Sequence, residues 1–256
     1  MRSKDSLVSW VLVPCLCAST MVFSGPASAV GGKVDGVIHG PLFVITAEAN
    51  GKTGSATVTP SDIPLTGEYI HNFSSPLQIV AGDGTLLGRV DRLTCYLNSD
   101  PVVSIGFAVT ASNVATNFTI SSAIISFGAV TNASATASGG TTLTDNDGNG
   151  ATLIGGYLGG TKSFQSSTNL GPFSQLVRNL NAGGNMSDSA SEAFGWSTIF
   201  GNTTSMASQF AFTLSANDQA SGTGVFALVV PEPSGMIALA SGVVGLAGLL
   251  VRRRII

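Results

Sequence analysis

The sequence predicts an all-β protein: a single β-sandwich or jelly-roll-like domain with one short helix, followed by a C-terminal transmembrane helix. Three observations predict it. Between residues 30 and 230, short apolar runs are bounded by Gly, Pro, Asn and Asp, the pattern of strands separated by turns. Long 3.6-residue periodicity is nearly absent from the same stretch, which Ser, Thr and β-branched residues fill instead, as a pleated, half-buried surface favours. Near the end, Gly235 to Val251 is an uncharged run of 17 residues followed by Arg252, Arg253 and Arg254. At about 1.5 Å per residue, such a run is long enough to cross a hydrocarbon core as a helix.

The N-terminus has the three parts of a secretory signal peptide. Arg2 and Lys4 form a positive start, Leu7 to Phe23 is mostly apolar, and Ala27-Ser28-Ala29 is a small-residue cleavage signature. Pro14 and that cleavage signature argue against a retained N-terminal anchor. Cys15 and Cys17 do not sit in a lipoprotein signal, because they follow Pro14 and Leu16. Cleavage at Ala27 and Ala29 places the mature start near Val30. The positive-inside rule keeps the terminal arginines cytoplasmic, so the body lies outside the inner membrane. The chain divides into a signal peptide (1–29), one β-rich extracytoplasmic domain (30–230) and a sorting and anchor segment (231–256).

Within the body, strands are expected at Val37–Ala49, Gly54–Thr59, Leu77–Val80, Thr85–Leu97, Val102–Ala111, Phe118–Phe127, Ala151–Leu158, Ser205–Ser215 and Gly224–Val230. Phe210, Phe212 and Leu214 alternate onto one face, and Val225–Val230 is continuously apolar, as in a central strand. The short helix is expected at Pro172–Asn181. Pro172 suits a first helical turn, and Phe173, Leu176, Val177 and Leu180 fall on one helical face. The small, polar stretch from Asn132 to Gly140 reads as a loop. No fixed-period repeat is present, which leaves a solenoid without support.

Without both ends, Lys and Arg fall from 11 to 6 and Asp and Glu from 14 to 12, leaving a body of about −6. It has no cluster of Lys or Arg to neutralise phosphates, which disfavours nucleic-acid binding. Cys95 is the one cysteine in the body, so no intramolecular disulfide can form. Its apolar context, Leu93 to Leu97, predicts a buried, inert thiol.

Pro231-Glu232-Pro233 lies directly before the apolar run and the arginines. Together these three parts resemble the PEP-CTERM sorting signal of Gram-negative bacteria, also called the ice-binding protein C-terminal domain. The resemblance covers about the last 26 residues. It implies recognition by an exosortase, a membrane-embedded cysteine protease, with Pro231, Glu232, Pro233, Arg252, Arg253 and Arg254 as the sorting residues. It also implies a location that begins at the inner membrane and ends at the cell surface, outer membrane or extracellular matrix, in a setting of exopolysaccharide and biofilm. The layout has a physical logic. Two prolines hold Glu232 extended and non-helical, and the helix and arginines set its depth. A turn before an ordinary anchor helix is the alternative. The ice-binding label belongs to the tail and does not transfer to the body.

A second motif is Asp145-Asn146-Asp147-Gly148-Asn149-Gly150. Asp145, Asp147 and Asn149 stand at positions 1, 3 and 5 of a calcium-loop pattern with Gly at 6. Position 12 is Gly156 and no helices flank the loop, so a full EF-hand is excluded. Calcium is the implied ion, with these three as candidate ligands. The same residues also suit a tight turn between strands. Two blocks, Leu143–Gly150 and Phe212–Asp218, are similar to stretches of some exported PEP-CTERM proteins and imply a shared body domain without catalytic residues.

Signals for catalysis are sparse. His39 and His71 fit surface or capping roles. There is no zinc-protease helix motif and no nucleophile elbow. Glu48, Glu68 and Glu192 are the carboxylates that would serve glycoside hydrolysis if the fold brought them together. Tyr69, Phe73, Tyr96, Tyr157, Phe164 and Trp196 are candidate sugar-stacking rings, with Phe194-Gly195-Trp196 foremost. Glycosylation sequons at Asn72, Asn117, Asn132, Asn185 and Asn202 match chance in a chain so rich in Ser and Thr. The expected function is therefore a non-enzymatic surface or matrix protein, structural or adhesive. The alternatives are a carbohydrate-binding module and a glycan hydrolase.

Overall fold

The computed structural model describes residues 36–59, 64–65, 68–73, 75–98 and 101–229. The signal peptide with Ala27 and Ala29, the sorting residues Pro231 to Pro233 and Arg252 to Arg254, and the expected transmembrane helix lie outside these residues. Among the described residues no helix is long and apolar enough to cross a membrane.

All described elements are strands. In order they are β1 (Gly36–Ala49), β2 (Lys52–Val58), β3 (Pro64–Leu65), β4 (Glu68–Phe73), β5 (Leu77–Val80), β6 (Leu86–Asn98) and β7 (Val102–Ala111). Then follow β8 (Thr116–Thr144), β9 (Ala151–Gly155), β10 (Lys162–Thr168), β11 (Gly171–Arg178), β12 (Leu180–Ala182), β13 (Ser187–Leu214) and β14 (Gln219–Val229). The strands form one hydrogen-bonded sheet in which neighbours run antiparallel.

Two long strands organise it. β8 has 29 residues and β13 has 28, and they pair along nearly their whole length. On its other side, the first half of β8 pairs with β1 and the second half with β14. The sheet continues from β14 to β7, β6, β4 and β5, and from the second half of β13 to β10 and β11. Four register breaks along the β13–β8 pairing, the first between Phe194 and Ser197, mark bulges, which bend strands and sharpen their twist.

The two flanks face one another in a sandwich-like arrangement. Phe107 on β7 packs edge-on against Phe210 on β13 at 4.8 Å between ring centres, and stacks on Phe212 at 5.6 Å. β7 and β13 are not hydrogen-bonded neighbours, so these contacts join the layers. Each buried ring contributes roughly 1.5–3 kcal/mol. The expected alternation of Phe210, Phe212 and Leu214 is realised, since all three are buried. Cys95 is buried among them in the same core, and burial pushes its thiol up to about 12.

Two expectations about local structure are corrected. The helix at Pro172–Asn181 is instead β11 and β12. Val177 adopts φ 68°, a left-handed geometry unusual for a β-branched residue. That kink breaks the strand alternation, so Leu176 and Val177 are both buried and Leu180 follows inside. A kinked strand thereby copies the spacing of a helical face. The expected loop at Asn132–Gly140 lies within β8. Ala133, Ala135 and Ala137 point inward and are buried. A Cβ on Gly139 would lie 3.0 Å from the Phe164 ring. Small residues stand there because a ring from the other layer occupies the space. Sequence reading also splits the long strands: Phe118–Phe127 and Ser205–Ser215 are halves of β8 and β13.

Candidate functional site

The register of the sheet assembles an acidic corner. Thr144, the last residue of β8, pairs with both Ser187 at the start of β13 and Gln219 at the start of β14. Three chain segments therefore meet just beyond that rung: the loop from Asp145, the turn at Asn185–Met186, and the turn at Asn217–Asp218. The amide of Asp145 donates to the carbonyl of Met186 at 3.0 Å. Asn185 and Asn217 take left-handed geometry, as do Gly148 and Gly150, which suits Asn and Gly in tight turns.

Carboxylate oxygens of Asp145, Asp147 and Asp218 lie within 4.8 Å of one another. Asp145 and Asp147 are two of the expected ligands. The third expected residue, Asn149, turns its amide nitrogen to Asp147 Oδ2 at 2.8 Å, and the third carboxylate is Asp218. The two sequence blocks, Leu143–Gly150 and Phe212–Asp218, thus converge in space. The acidic end of the second block was visible in sequence, but only strand pairing reveals that it faces the first.

The corner is also tied by protein donors. Asp145 accepts the amide of Gly148 at 3.2 Å and that of Asn185. Asp147 accepts from the Asn217 side chain at 3.1 Å, and Asp218 accepts from the Asn146 amide at 3.2 Å and the Ser215 hydroxyl. Burial pushes Asp145 up, but the Asn185 and Gly148 amides outweigh it and hold the carboxyl below its ordinary value. Asp218 lies above its ordinary value. Burial is the main cause, and repulsion from Asp147 and Asp145 adds to it against the Ser215 and Asn146 hydrogen bonds. Oxygen-only, converging groups of this kind suit a hard divalent cation such as calcium.

A second feature lies at the far part of β13. Phe194, Trp196 and Phe200 are 41%, 56% and 82% exposed. Phe194 and Phe200 line a cleft of about 280 Å³ together with the β10–β11 turn. Of the other ring candidates, Phe164 is fully buried. Tyr157 is half-buried, its hydroxyl donates to Gln209 Oε1, and burial raises it above its ordinary value. Tyr69 packs on the core.

The carboxylates considered for hydrolysis are held apart along the sheet. Glu48 shares a rung with Asn117 and Glu192 with Gly139, near opposite ends of β8. Glu192 is engaged by Lys162 at 2.6 Å, and burial notwithstanding, that contact and nearby amides keep it below its ordinary value. Glu68 starts β4. His39 lies in β1 beside a register shift. His71 lies half-buried in β4 opposite Cys95, its Nε2 sheltered and without a hydrogen-bond partner among the described residues.

No family model matches the chain, and no curated protein matches it. Among solved structures, it is similar to the enzymatically active domain of bacteriophage CBA120 tailspike protein 4. Identity there is 8% over 64% of this chain and 20% of that chain, with a TM-score of 0.24. It is also similar to a chain of infectious bursal disease virus, Gx strain, at 11% identity over 80% of this chain and 73% of that chain, with a TM-score of 0.18. Likenesses at this level say nothing about function.

Proposed function

We propose that this chain is an exported structural or adhesive protein of the bacterial surface or extracellular matrix, sorted by an exosortase-type protease. Its body is a jelly-roll-like sandwich. The observation that carries the proposal is the arrangement Pro231-Glu232-Pro233, apolar run and Arg252–Arg254 at one end of a chain whose other end carries Ala27-Ser28-Ala29. Between them stands an antiparallel body whose two longest strands pair along nearly their whole length, a construction suited to a rigid building element. Calcium enters the proposal as a structural ion of the corner, with Asp218 joining Asp145 and Asp147. The precursor is held in the inner membrane, and the mature form reaches the surface or matrix, next to exopolysaccharide.

Intact-mass measurement on fractionated cells tests this reading. Loss of about the last 25 residues only when the exosortase is present, with the shortened form in the surface or matrix fraction, is the expected result. An identical, uncleaved C-terminus in both strains would overturn it. The alternative of a carbohydrate-binding module is favoured by the exposed rings of β13. A glycan hydrolase has less support, since Glu48 and Glu192 sit near opposite ends of β8.

A further inference from the structure

We infer that the cleft between the β10–β11 turn and the first half of β13 binds a neutral polysaccharide through stacking on Phe194 and Phe200. The inference rests on the reading of the body as a matrix protein and assigns that protein its ligand class and site.

The cleft is built on a fixed foundation. Phe226 is fully buried in the core, and Phe173 stacks on it at 5.3 Å with 25° between the rings. Phe194 then meets Phe173 edge-on at 5.2 Å and 89°. A chain of three rings thus sets the orientation of Phe194 from the core outward. The floor on the other side is pinned by Asn169. Its side chain donates to the carbonyl of Asn202 at 3.1 Å and accepts the amide of Thr204 at 2.7 Å. These bonds tie the β10–β11 turn to the segment that presents Phe200. Register breaks after Phe194 and after Ile199 bracket the wall, and bulges are a common means of aiming side chains at a ligand.

The lining decides the ligand. Aromatic rings, the aliphatic Leu170, Pro172 and Ile199, and the hydroxyl residues Thr168, Ser197 and Thr198 line it, and no ionisable side chain takes part. A sugar ring matches this surface, because it offers an apolar C–H face for stacking and an equatorial belt of hydroxyls for hydrogen bonding. A charged glycan, a nucleic acid or an acidic peptide would find no counter-charge to compensate its desolvation. The volume of about 280 Å³ is just below that of typical ligand sites, about 300–1,000 Å³, so the cleft takes a short segment of a longer chain. Rigid rings lose little rotamer freedom on binding, which favours affinity from a preformed site.

Affinity electrophoresis of the protein purified from the surface fraction tests the inference. The gels hold dextran, curdlan, xyloglucan, galactomannan or no polysaccharide, with alginate as the charged comparison. Retardation is expected in at least one neutral gel and not in alginate. Phe200→Ala and Phe194→Ala are each expected to weaken it about tenfold or more, as truncation of an aromatic anchor does, whereas Ile70→Ala, at an exposed site on β4, leaves it unchanged. Phe200 is 82% exposed, so its truncation leaves the fold intact, and thermal unfolding verifies this. Equal mobility in every gel would overturn the inference. So would light scattering that shows a dimer lost in Phe200→Ala, since a second copy would then occupy the cleft. Either result leaves the mass measurement on fractionated cells, and with it the matrix assignment, standing on its own.

Discussion

The ring of Phe164 on β10 rests against the bare Cα of Gly224 on β14: a Cβ added to Gly224 would overlap the ring edge and come within 2.9 Å of Cδ2. Gly224 pairs directly with Gly139 of β8, where an added Cβ would lie 3.0 Å from the same ring. The paired glycines make a socket for a side chain from the opposite layer. Gly224→Ala is expected to destabilise by about 1–3 kcal/mol through overpacking. Phe164→Ala is expected to cost about 3–5 kcal/mol through the cavity it leaves. Urea unfolding of Gly224→Ala, of Phe164→Leu and of the double variant carrying both measures the coupling. The double variant should lose less than the sum, because the smaller side chain makes room for the new methyl group.

The acidic corner predicts an opposed pair of pH effects. Asp218 has a raised value in the folded state, so its ionisation opposes folding: stability falls as pH rises from the unfolded value, near 4, through the raised folded value. Asp145 is held low, so its contribution is present above the unfolded value and is lost as pH falls through the lowered folded one. Chemical denaturation of Asp218→Asn from pH 3 to 7 isolates the first effect. Relative to the parent, the variant should gain stability as pH rises and then level off. Asp145→Asn should give the reverse slope, losing stability relative to the parent as pH rises from acid to neutral.

Three carboxylates within 4.8 Å repel one another, and a calcium ion would relieve that repulsion. Calcium at millimolar concentration is expected to raise the thermal midpoint of the parent, and chelator to reverse the rise. Asp147→Asn and Asp218→Asn should each abolish the shift, whereas Asn149→Ala should retain it, since that side chain points its amide nitrogen at Asp147. Equal midpoints with calcium and with chelator would mean that the corner is held by its own amide donors.

Cys95 is a free, buried thiol whose burial pushes it up to about 12. It should therefore be inert to thiol reagents in the native protein at pH 8 and react once unfolded. The rate of labelling in low denaturant then reports global opening of the core, without a probe attached to the surface.

Several strands were legible because their neighbours on the sheet ask for nothing unusual. Leu77–Val80 and Val102–Ala111 are strands over the residues expected. Around Val177 and from Asn132 to Gly140, sequence reading fails for two different reasons. The Phe164 ring lies where a Cβ of Gly139 would crowd it, and the buried positions before it are alanines, so this part of β8 resembles a loop. A left-handed Val177 breaks the alternation of β11 and mimics a helix. Two of the three carboxylates of the acidic corner were readable, since Asp145 and Asp147 share a local calcium-like spacing. Asp218 was not, because its nearness depends on β8 ending on the rung where β13 and β14 begin.

The sequence by itself determined the all-β class, because period-two patterning and turn residues act over a few positions. It also supplied the tail and leader motifs, which lie in contiguous residues. Only the tertiary structure decided that β8 and β13 pair along nearly their whole length, that Asp218 joins the Asp145 loop, and that Phe194 is oriented by Phe173 on a core ring. Those outcomes depend on register between strands far apart in the chain, and register follows from the packing of whole layers rather than from any local run of residues.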